Sequence, residues 1–482
     1  MRMRPAALAV ATILIALTPL GASAAVVRSL SQGTSGADVM ALQQNLASRG
    51  YLTATPTGYF GPATLAAVRK FQCEHGVICA GAAYGTVGPA TRAALAASAF
   101  EVSGWIPYWR AATGTTDIAP HIEKFSSVMP FGYVVQNDGT LHDAYALELD
   151  TPRASSTATL LALAGSAGVK VVPTVMWGNG AATHAILSDE TRRIALEESI
   201  AALVTRNGFD GVDIDFEGKR AETKEYFSLF LKGLKGRLGS KLLYCAIESR
   251  TPLGSRYGDT PPPRGATEYA NDYAVIGKYC DRIELMTYDQ QTIDVLLNKA
   301  ATAAAGPYIP VSDPDWVAKV VNLTAETIPK SKIVIGVPTY GYEWKVTPLQ
   351  FSGFRFDMEW AFNPRYATAL AATLRATPTR TESGELSFIY NPEAPSAAAA
   401  VAAASKGNIS SSSGTGLTQE TVYTGGATLP AKDGTYNIVW WSDAQAIADK
   451  IALAKRLGVR GVAIFKIDGG EDPGLWSVLP TK

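Results

Sequence analysis

The chain has 482 residues, of which 47% are hydrophobic and 18% are charged; this length and composition predict a globular protein with two domains, one of them large. Lysine plus arginine equals aspartate plus glutamate at 43 each, so the net charge gives no reason to expect nucleic acid or an acidic membrane surface as a partner. The chain has only four histidines, so neither a zinc site nor any other metal or cofactor is predicted.

The N-terminus has the three parts of a secretory signal peptide. Arg2 and Arg4 form a basic start, residues 6–17 form an apolar core, and residues 22–24 form a small-residue cleavage site. The apolar run is too short to span a bilayer comfortably, and no second run of this kind follows. We therefore predict that residues 1–24 are removed and that the protein is secreted, extracellular or cell-wall associated, with no membrane contact after cleavage.

The four cysteines fall into two sets, and export permits disulfide bonds. Cys73 and Cys79 are separated by a short turn, whereas Cys245 and Cys280 would join two adjacent predicted strands. Free buried thiols are the alternative for each set.

Residues 30–98 contain an internal repeat. The segment 58–68 returns as 85–95, and in each copy a glycine-rich turn leads through Gly-Pro-Ala-Thr into a helix with proline in its first turn. Together with the helical spacing of apolar residues over 39–46, the repeat predicts a small all-α domain of three helices. It resembles the bacterial peptidoglycan-binding domain, whose landmarks are matched by Leu42-Gln43, Gly50-Tyr51, Thr64 and Phe71-Gln72. A helical packing domain with no ligand of its own is the alternative.

Strands and helices alternate over residues 100–482. Three predicted helices end at Gly168, Gly208 and Gly458, and a run rich in valine follows each glycine, as expected for helices that lead into strands buried on both faces. Eight such units predict an α/β fold, a (β/α)8 TIM barrel. The predicted strands lie near residues 102–107, 126–134, 169–176, 210–216, 241–248, 281–287, 332–339 and 459–465.

The connection between predicted strands seven and eight is too long for a simple loop. It covers about residues 346–436 and contains the aromatic segments 351–362 and 386–390, followed by a run rich in alanine, serine and glycine. A loop of this length without structure of its own is uncommon in a compact domain. We therefore predict a small α+β insertion after strand seven, which would form one wall of a substrate groove.

The most informative stretch is residues 209–218. From Asp213 to Glu217, acidic and apolar residues alternate with the two-residue period of a strand, so Asp213, Asp215 and Glu217 would share one face at intervals of about 6.6 Å. Such a row of carboxylates is expected to raise the pKa of one member, which suits general acid chemistry on a sugar or phosphate ester. An exposed edge strand and a site for a hard metal ion are the alternatives.

This strand resembles the signature of glycoside hydrolase family 18, Asp-Gly-x-Asp-x-Asp-x-Glu, with all positions filled by Asp210, Gly211, Asp213, Asp215 and Glu217. The family comprises chitinases and endo-N-acetylglucosaminidases. The resemblance implies substrate-assisted hydrolysis with retention, an exception to the scheme of two carboxylates. It implies that Glu217 protonates the glycosidic oxygen, that Asp215 orients the 2-acetamido group whose carbonyl attacks the anomeric carbon, and that Asp213 shares a proton with Asp215.

Two other strand ends resemble the same family. Met286-Thr-Tyr288-Asp289 is similar to its strand-six segment, and the segment that contains Tyr340 is similar to its strand-seven segment. The resemblance implies that Tyr288 donates a hydrogen bond to the acetamido oxygen. Asp210, Met286, Asp289 and Tyr340 are predicted to contact substrate, although Met286 and Tyr340 could equally fill the barrel.

One position departs from the family pattern. Strand eight commonly ends in a tryptophan that forms the floor of the sugar site, whereas this chain has Phe465; the smaller ring argues against processive chitinase behaviour. We predict that Trp105 and Phe465 contact the sugar. Core packing is the alternative for each tryptophan that could line the groove, namely Trp105, Trp109, Trp177, Trp344, Trp440 and Trp441.

The implied mechanism restricts the substrate. Only a sugar with an N-acetyl group beside the scissile bond can supply the nucleophile, so the resemblance implies a polysaccharide that contains N-acetylglucosamine. The helical domain favours peptidoglycan, cut at the β-1,4 linkage on the reducing side of N-acetylglucosamine by a monomeric enzyme, with chitin or chitooligosaccharides as the alternative. A non-catalytic, lectin-like cell-wall protein is a further alternative, which the presence of Glu217 disfavours.

Overall fold

The computed structural model describes residues 28–48, 51–97, 100–147, 155–349, 353–394, 396–406 and 434–481. The predicted signal peptide and Gly50 lie outside these residues. The chain divides into two compact units, Met1–Ala96 and Ala97–Lys482. In the described ranges, no helix combines the length and the apolar character that a membrane span requires.

The first unit contains three helices, as the repeat predicts: α1 (Ala37–Ser48), α2 (Pro62–Glu74) and α3 (Pro89–Ala97). Apolar side chains from all three share one core, which includes Val39, Leu46, Phe60, Phe71 and Leu95.

A buried glutamine fixes the first copy of the repeat. Gln43 of α1 donates hydrogen bonds to Thr64 Oγ1 and to the Tyr59 carbonyl, both at 2.8 Å. Its Oε1 accepts from the N–H groups of Thr57 and Gly58, also at 2.8 Å. One amide therefore joins the helix, the glycine turn and the start of the next helix.

The second copy uses the same arrangement one helix later. Gln72 of α2 donates to Thr91 Oγ1 and to the Thr86 carbonyl, both at 2.9 Å, and accepts from the Gly85 N–H at 2.7 Å. Gln72 is completely buried. The glutamine and threonine landmarks are therefore one structural device that the module contains twice.

The second unit contains fifteen strands within the described ranges. They are β1 (Glu101–Pro107), β2 (Ser127–Val135), β3 (Leu141–Asp143), β4 (Lys170–Val171), β5 (Thr174–Trp177), β6 (Gly211–Phe216), β7 (Leu242–Glu248), β8 (Arg282–Met286), β9 (Ile333–Pro338), β10 (Gly341–Pro348), β11 (Phe354–Phe362), β12 (Thr379–Arg380), β13 (Leu386–Tyr390), β14 (Tyr436–Trp441) and β15 (Gly461–Phe465). Its helices are α4 (Ala111–Ile118), α5 (Ser155–Ala167), α6 (Gly180–Leu187), α7 (Glu190–Asn207), α8 (Lys224–Leu238), α9 (Leu253–Tyr257), α10 (Tyr273–Tyr279), α11 (Val295–Ala305), α12 (Pro314–Ala325), α13 (Pro364–Leu374), α14 (Ala397–Ser405), α15 (Ala444–Leu457) and α16 (Leu475–Val478).

Eight parallel strands close into a barrel, which confirms the predicted TIM barrel. The order around it is β1, β2, β5, β6, β7, β8, β9 and β15, and β15 pairs with β1; β4 precedes β5 and also pairs with β2. Helices lead into strands at glycines, as predicted: α7 and α15 end at Gly208 and Gly458, whose φ angles of 69° are in the left-handed region that favours glycine.

A second, antiparallel sheet lies between β9 and β15 in the sequence, with the order β11, β10, β14, β13 and β12. This confirms the predicted α+β insertion, with α13 and α14 as its helices. The sheet begins at Gly341 and ends at Trp441, outside the predicted limits of 346 and 436, because β10 starts almost directly after β9 and pairs with β14. Trp344, Trp440 and Trp441 are packed in the core of the insertion.

A buried carboxylate ties the insertion to the barrel. Glu385 accepts hydrogen bonds from the N–H groups of Val311 and Ser312 at 2.9 and 3.1 Å, and from Trp440 Nε1 at 2.9 Å. The Lys450 ammonium of α15 lies 3.6 Å away. One side chain therefore connects the insertion sheet to the segment before α12 and to the helix before β15.

Both cysteine sets form disulfide bonds. Cys73 and Cys79 are joined in the first unit, with a Cα–Cα distance of 4.7 Å. Cys245 of β7 and Cys280, which directly follows α10, are joined with a Cα–Cα distance of 6.1 Å. The second bond therefore links β7 to the short connection between α10 and β8, the neighbouring barrel strand.

Candidate active site

The carboxyl ends of the barrel strands surround a cavity of about 370 Å³. Eight of the ten predicted site residues line it: Trp105, Asp215, Glu217, Met286, Tyr288, Asp289, Tyr340 and Phe465. Because these residues come from five different strands or strand ends, closure of the barrel is what brings them together.

The acidic strand β6 is central to this arrangement. It pairs with β5 on one side and with β7 on the other, so it is not an edge strand, and all six of its residues are buried. On its apolar face, the Phe216 ring stacks on Phe230 of α8 with 5.3 Å between centroids. The outer helices therefore hold the apolar face, which turns the acidic face towards the barrel interior.

Asp213 does not line the cavity and is completely buried. Its Oδ2 accepts hydrogen bonds from Trp105 Nε1 at 3.0 Å and Thr174 Oγ1 at 2.8 Å, whereas its Oδ1 has no partner among the described residues. Burial raises the pKa of Asp213 to about 6 despite these bonds. Asp213 is therefore placed to influence Asp215 and not to contact a ligand.

Asp215 is buried in the cavity wall, and its Oδ1 lacks a hydrogen-bond partner within the described part of the chain. Burial raises the pKa of Asp215 well above its ordinary value, and the carboxylates of Glu217 and Asp213 raise it further, while Lys219 opposes them. The protonated form of Asp215 can donate a hydrogen bond and the ionised form can accept one, so this free oxygen is suited to a polar group on a ligand.

Glu217 stands at the mouth of the cavity, directly after β6. Its N–H donates to the Trp177 carbonyl at 2.8 Å, and its side chain reaches solvent through the mouth. Surrounding protein atoms and the Glu248 carboxylate raise the pKa of Glu217, Asp289 adds to the shift, and Lys219 opposes it. A carboxylic acid that keeps its proton at this position can deliver it to a bound ligand.

The sequence analysis missed a charged pair beside Glu217. Lys219 Nζ donates to the Phe216 carbonyl and lies 3.4 Å from Glu248 Oε1, and Asn271 Nδ2 donates to Glu248 Oε2 at 2.5 Å. The Lys219 side chain is almost completely buried. No sequence signal marks this pair, because Lys219 follows the motif in a turn and Glu248 ends a different strand.

Glu284 of β8 is a second missed residue. Ser103 Oγ donates to its Oε1 at 3.2 Å, and burial, together with the Asp213 carboxylate, raises the pKa of Glu284 well above its ordinary value. Here the sequence did carry a signal, since Glu284 is an acidic residue within an apolar strand. Among the described residues, no group of three or more histidine, cysteine or acidic side chains is arranged to hold a metal ion.

Aromatic rings form the floor of the cavity. The Phe465 ring stacks on Tyr288, with 5.1 Å between centroids and 14° between planes, and meets Trp105 edge-on at 5.7 Å. Glycine at 336 makes room for Tyr288, because a Cβ there would lie 2.7 Å from the tyrosine ring. Burial raises the pKa of Tyr288 well above its ordinary value, so its hydroxyl remains a hydrogen-bond donor.

Two more of the predicted tryptophans line the same cavity, Trp109 and Trp177. Both indole N–H groups are buried without a hydrogen-bond partner in the described ranges. These tryptophans therefore combine apolar surface with free donors, whereas Trp344, Trp440 and Trp441 belong to the core of the insertion.

Asp289 is held by two tyrosines. Its backbone is in the left-handed region with φ of 57°, and its Oδ1 accepts hydrogen bonds from the hydroxyls of Tyr340 at 2.5 Å and Tyr342 at 2.6 Å. Met286 contributes to the wall nearby. Tyr340 therefore positions Asp289 as well as lining the cavity, and Tyr342 is an additional residue that the sequence analysis did not select.

Asp210 requires a correction, because it does not line the cavity. Its Oδ2 accepts the N–H of Val171 at 2.8 Å, immediately before β6 begins. Asp210 and Glu217 flank opposite ends of this six-residue strand, which is about 20 Å long. The position gives Asp210 a role in joining β4 to β6 and not in contacting substrate.

Comparison with known families finds two matches. Residues 108–470 match the family described as "Glycosyl hydrolases family 18", and residues 35–95 match the one described as "Putative peptidoglycan binding domain". Both resemblances predicted from the sequence are confirmed.

Individual relatives agree with these matches. The cortical fragment-lytic enzyme of Bacillus subtilis is 24% identical over 294 residues, which are 61% of this chain and 54% of that protein. The solved structure of the spore cortex-lytic enzyme SleL of Bacillus megaterium QM B1551 has a TM-score of 0.54 at 21% identity and covers 79% of this chain and 73% of that one. The chitinase of Chromobacterium violaceum ATCC 12472 has a TM-score of 0.55 at 19% identity, with 79% and 98% covered.

The SleL and chitinase structures show that this chain shares their fold. The chain spans between about half and about two thirds of the length of the first three curated relatives that it matches, at 67%, 49% and 54%.

Proposed function

Because the chain belongs to glycosyl hydrolase family 18, we propose that it is an exported glycosidase that cleaves the β-1,4 linkage on the reducing side of N-acetylglucosamine in peptidoglycan, by substrate-assisted catalysis with retention. Membership of this family identifies the protein as a glycosidase, as the sequence predicts. The observation that carries the finer proposal is the convergence of Glu217, Asp215 and Tyr288 on one cavity.

In the proposed first step, Glu217 gives its proton to the glycosidic oxygen as the bond to the anomeric carbon breaks. The carbonyl oxygen of the substrate's own 2-acetamido group attacks the anomeric carbon and forms a cyclic oxazolinium ion. The raised pKa of Glu217 supports this role, because the acid must arrive protonated to act.

Asp215 and Tyr288 are proposed to hold the acetamido group during this step. The Asp215 oxygen that lacks a partner can accept the acetamido N–H and balance the positive charge of the ring, and the Tyr288 hydroxyl can donate to the acetamido oxygen. Asp213 lies next along the strand, and its raised pKa suits it to take up the proton that Asp215 must lose to become ionised.

The second step returns the enzyme to its starting state. Glu217, now ionised, removes a proton from water as the water oxygen attacks the anomeric carbon and opens the oxazolinium ring. Two inversions at one carbon give net retention. The stacked rings of Tyr288 and Phe465 offer an apolar floor for the sugar throughout both steps.

Three observations support peptidoglycan as the substrate and the cell wall as the location. Residues 35–95 match a peptidoglycan-binding family, one relative bears the name cortical fragment-lytic enzyme, and the N-terminal sequence reads as an export signal. The two disulfide bonds suit an oxidising environment outside the cytoplasm.

The products distinguish this proposal from its alternatives. The chain is incubated with purified peptidoglycan and, separately, with chitin oligosaccharides; new reducing ends are reduced with borohydride and identified by mass spectrometry. We expect reduced N-acetylglucosamine at the ends of muropeptides, and proton NMR should show the β-anomer first. New ends that carry muramic acid would overturn the cleavage site, products from chitin alone would favour a chitinase, and no products from either would favour a lectin.

A further inference from the structure

A second cavity, of about 450 Å³, lies next to the proton donor. Lys219 and Glu248 form part of its wall, and the same two side chains influence the pKa of Glu217. Most of the remaining wall comes from the segment 249–271, which follows β7, together with Ile293. The cavity therefore begins directly beyond the turn that carries the proton donor.

Three arginines in this wall, Arg250, Arg256 and Arg264, form no ion pair with any residue that the structure describes. Arg250 is half-buried and Arg256 and Arg264 are exposed, whereas the half-buried Arg282 of β8 has a carboxylate partner, Glu101, at 2.5 Å. Three guanidinium groups that converge on one cavity without such partners produce a positive potential there.

The acidic groups of the wall do not cancel this charge. Glu248 is already engaged by Lys219 and Asn271, and Glu268 is not within 4.0 Å of any of the arginine nitrogens. An excess of cationic groups therefore remains available to a ligand.

Arg250 is also fixed in orientation. Its guanidinium carbon lies 3.4 Å from the ring centroid of Tyr269 and 4.1 Å from that of Tyr273, and its Nη2 donates to the Asn271 carbonyl at 3.0 Å. Stacking holds the planar group while leaving several of its five N–H donors free. Such a group binds a carboxylate or a phosphate with two parallel hydrogen bonds.

We propose that this cavity binds the carboxylates carried by the lactyl group on the leaving sugar. The inference rests on the proposed function: Glu217 protonates the oxygen that departs, so the leaving sugar lies on the donor's side of the bond. In peptidoglycan cut after N-acetylglucosamine, that sugar is N-acetylmuramic acid, and the departing oxygen O4 is adjacent to O3, which bears the lactyl group and its peptide. Chitin has no anionic group at this position.

Such binding would allow the protein to discriminate between peptidoglycan and chitin. The arginine-lined cavity would favour peptidoglycan over chitin by recognising the charged substituent on C3, the carbon next to the one that bears the scissile oxygen. The carboxylates can come from the peptide or, where the peptide has been removed, from the lactyl group itself.

A double variant, Arg256→Gln with Arg264→Gln, tests the proposal on the full-length protein. Three substrates are compared at equal sugar concentration: neutral chitohexaose, glycan strands with their peptides, and the same strands after an amidase has removed the peptides. We expect kcat/KM on peptide-bearing strands to fall about tenfold to a hundredfold in the variant, mainly through an increase in KM. Because salt screens the arginines of the wild type, raising the salt concentration should lower the wild-type kcat/KM on both strand substrates towards that of the variant, and it should not restore activity to the variant. Turnover of chitohexaose should be unchanged.

The matched control is Arg456→Gln, an exposed arginine in the last turn of α15, at the other end of the barrel. If the double variant loses as much kcat/KM on strands without peptides as on strands with peptides, the arginines bind the lactyl carboxylate. If it loses kcat/KM only on strands with peptides, they bind the peptide. Equal losses on chitohexaose and on strands, or no loss on either strand substrate, would overturn the inference. If the wild type hydrolyses chitohexaose but no strands, the proposed peptidoglycan substrate fails as well; if it hydrolyses strands and the double variant does so equally, only this inference fails.

Discussion

Buried polar side chains of the helical module have complete hydrogen bonding, whereas some of those in the barrel do not. In the module, Gln43 and Gln72 are buried and use both ends of their amides in hydrogen bonds. In the barrel, Asp213 and Asp215 are equally buried, yet each keeps an oxygen without a partner among the described residues. Since an unpartnered buried polar atom costs free energy, the barrel retains groups that folding alone would not select.

This difference distinguishes buried side chains that stabilise the fold from buried side chains that are suited to bind a ligand or a proton. A buried side chain whose hydrogen bonds are complete, such as Gln72, can be explained by the fold it holds together. A buried acid whose pKa is raised, such as Asp215, is explained better by a ligand or a proton that completes it. Four predictions test whether the two regions really divide in this way.

The largest effect is expected from Glu217→Gln, which removes the proposed proton donor. Turnover should fall by about 10²–10⁴-fold, the usual contribution of a general acid, while binding of chitooligosaccharides and the unfolding transition should change little. Steady-state kinetics and calorimetric titration measure the two quantities. Glu225→Gln, at an exposed position of α8, is the control, and a Glu217→Gln variant that kept a tenth of wild-type turnover would contradict the assignment.

Each region has one disulfide bond, and their loops differ in length, with sequence separations of 6 and 35. Loop entropy predicts that replacing Cys245 and Cys280 by alanine lowers the free energy of unfolding by about 4 kcal/mol, against about 2 kcal/mol for Cys73 and Cys79. All nine tryptophans follow residue 100, so urea unfolding monitored by tryptophan fluorescence reports on the barrel unit. Only replacement of Cys245 and Cys280 should shift that transition strongly; an equal shift on replacement of Cys73 and Cys79 would refute the expectation.

Asp213→Asn should reveal the cost of a buried acid. The pKa of Asp213 is raised from 3.8 to about 6, so its neutral form favours the folded state, and this contribution is complete below pH 4 and lost as the pH rises through about 6. Relative to the variant, the wild type should lose about 3 kcal/mol of stability between pH 3 and pH 7. Urea unfolding across this range measures the difference, with Asp259→Asn at an exposed position as the control. A difference that does not vary with pH would show that Asp213 is not neutralised by the fold.

The smallest effect is expected in the module, from Gln43→Ala. It leaves the N–H groups of Thr57 and Gly58 without their acceptor, which costs about 1–3 kcal/mol, so exchange of these amides with deuterium should accelerate at least severalfold. The adjacent Gln44 is exposed, and Gln44→Ala is a matched control. Hydrolysis of soluble chitooligosaccharides should be the same for both variants. A loss of that activity in Gln43→Ala alone would contradict the proposal that the buried glutamines of the module serve only its fold.

Much of the barrel and its acidic strand could be predicted from the sequence, because short-range patterns encode them. Alternation over β6 gave the orientation of Asp213 and Asp215, and the glycine after α7 gave the start of the next strand. Asp210 was assigned incorrectly because a motif names residues without saying at which end of a strand each one lies. The strand's length separates Asp210 from the cavity.

What could not be predicted depends on pairing between distant segments. Lys219 and Glu248 meet only because β6 and β7 are neighbours, and the three unpaired arginines converge only after the segment that follows β7 has folded over the barrel end. Tyr342 belongs to the insertion, and nothing in its local sequence indicates that its hydroxyl reaches Asp289. Periodicity and composition describe single elements, so they do not reveal such contacts.

The carboxylate of Glu385 has a practical consequence for engineering. Because it is bonded to two backbone amides before α12 and faces the ammonium of Lys450, the insertion is clamped at its base and does not form an independent flap. A chimera that exchanged only residues 341–441 with those of a relative would leave the amides of Val311 and Ser312 and the charge of Lys450 orphaned. A graft that also transfers the segment before α12 and helix α15 would keep the clamp whole, and it defines the smallest transplantable piece of the groove.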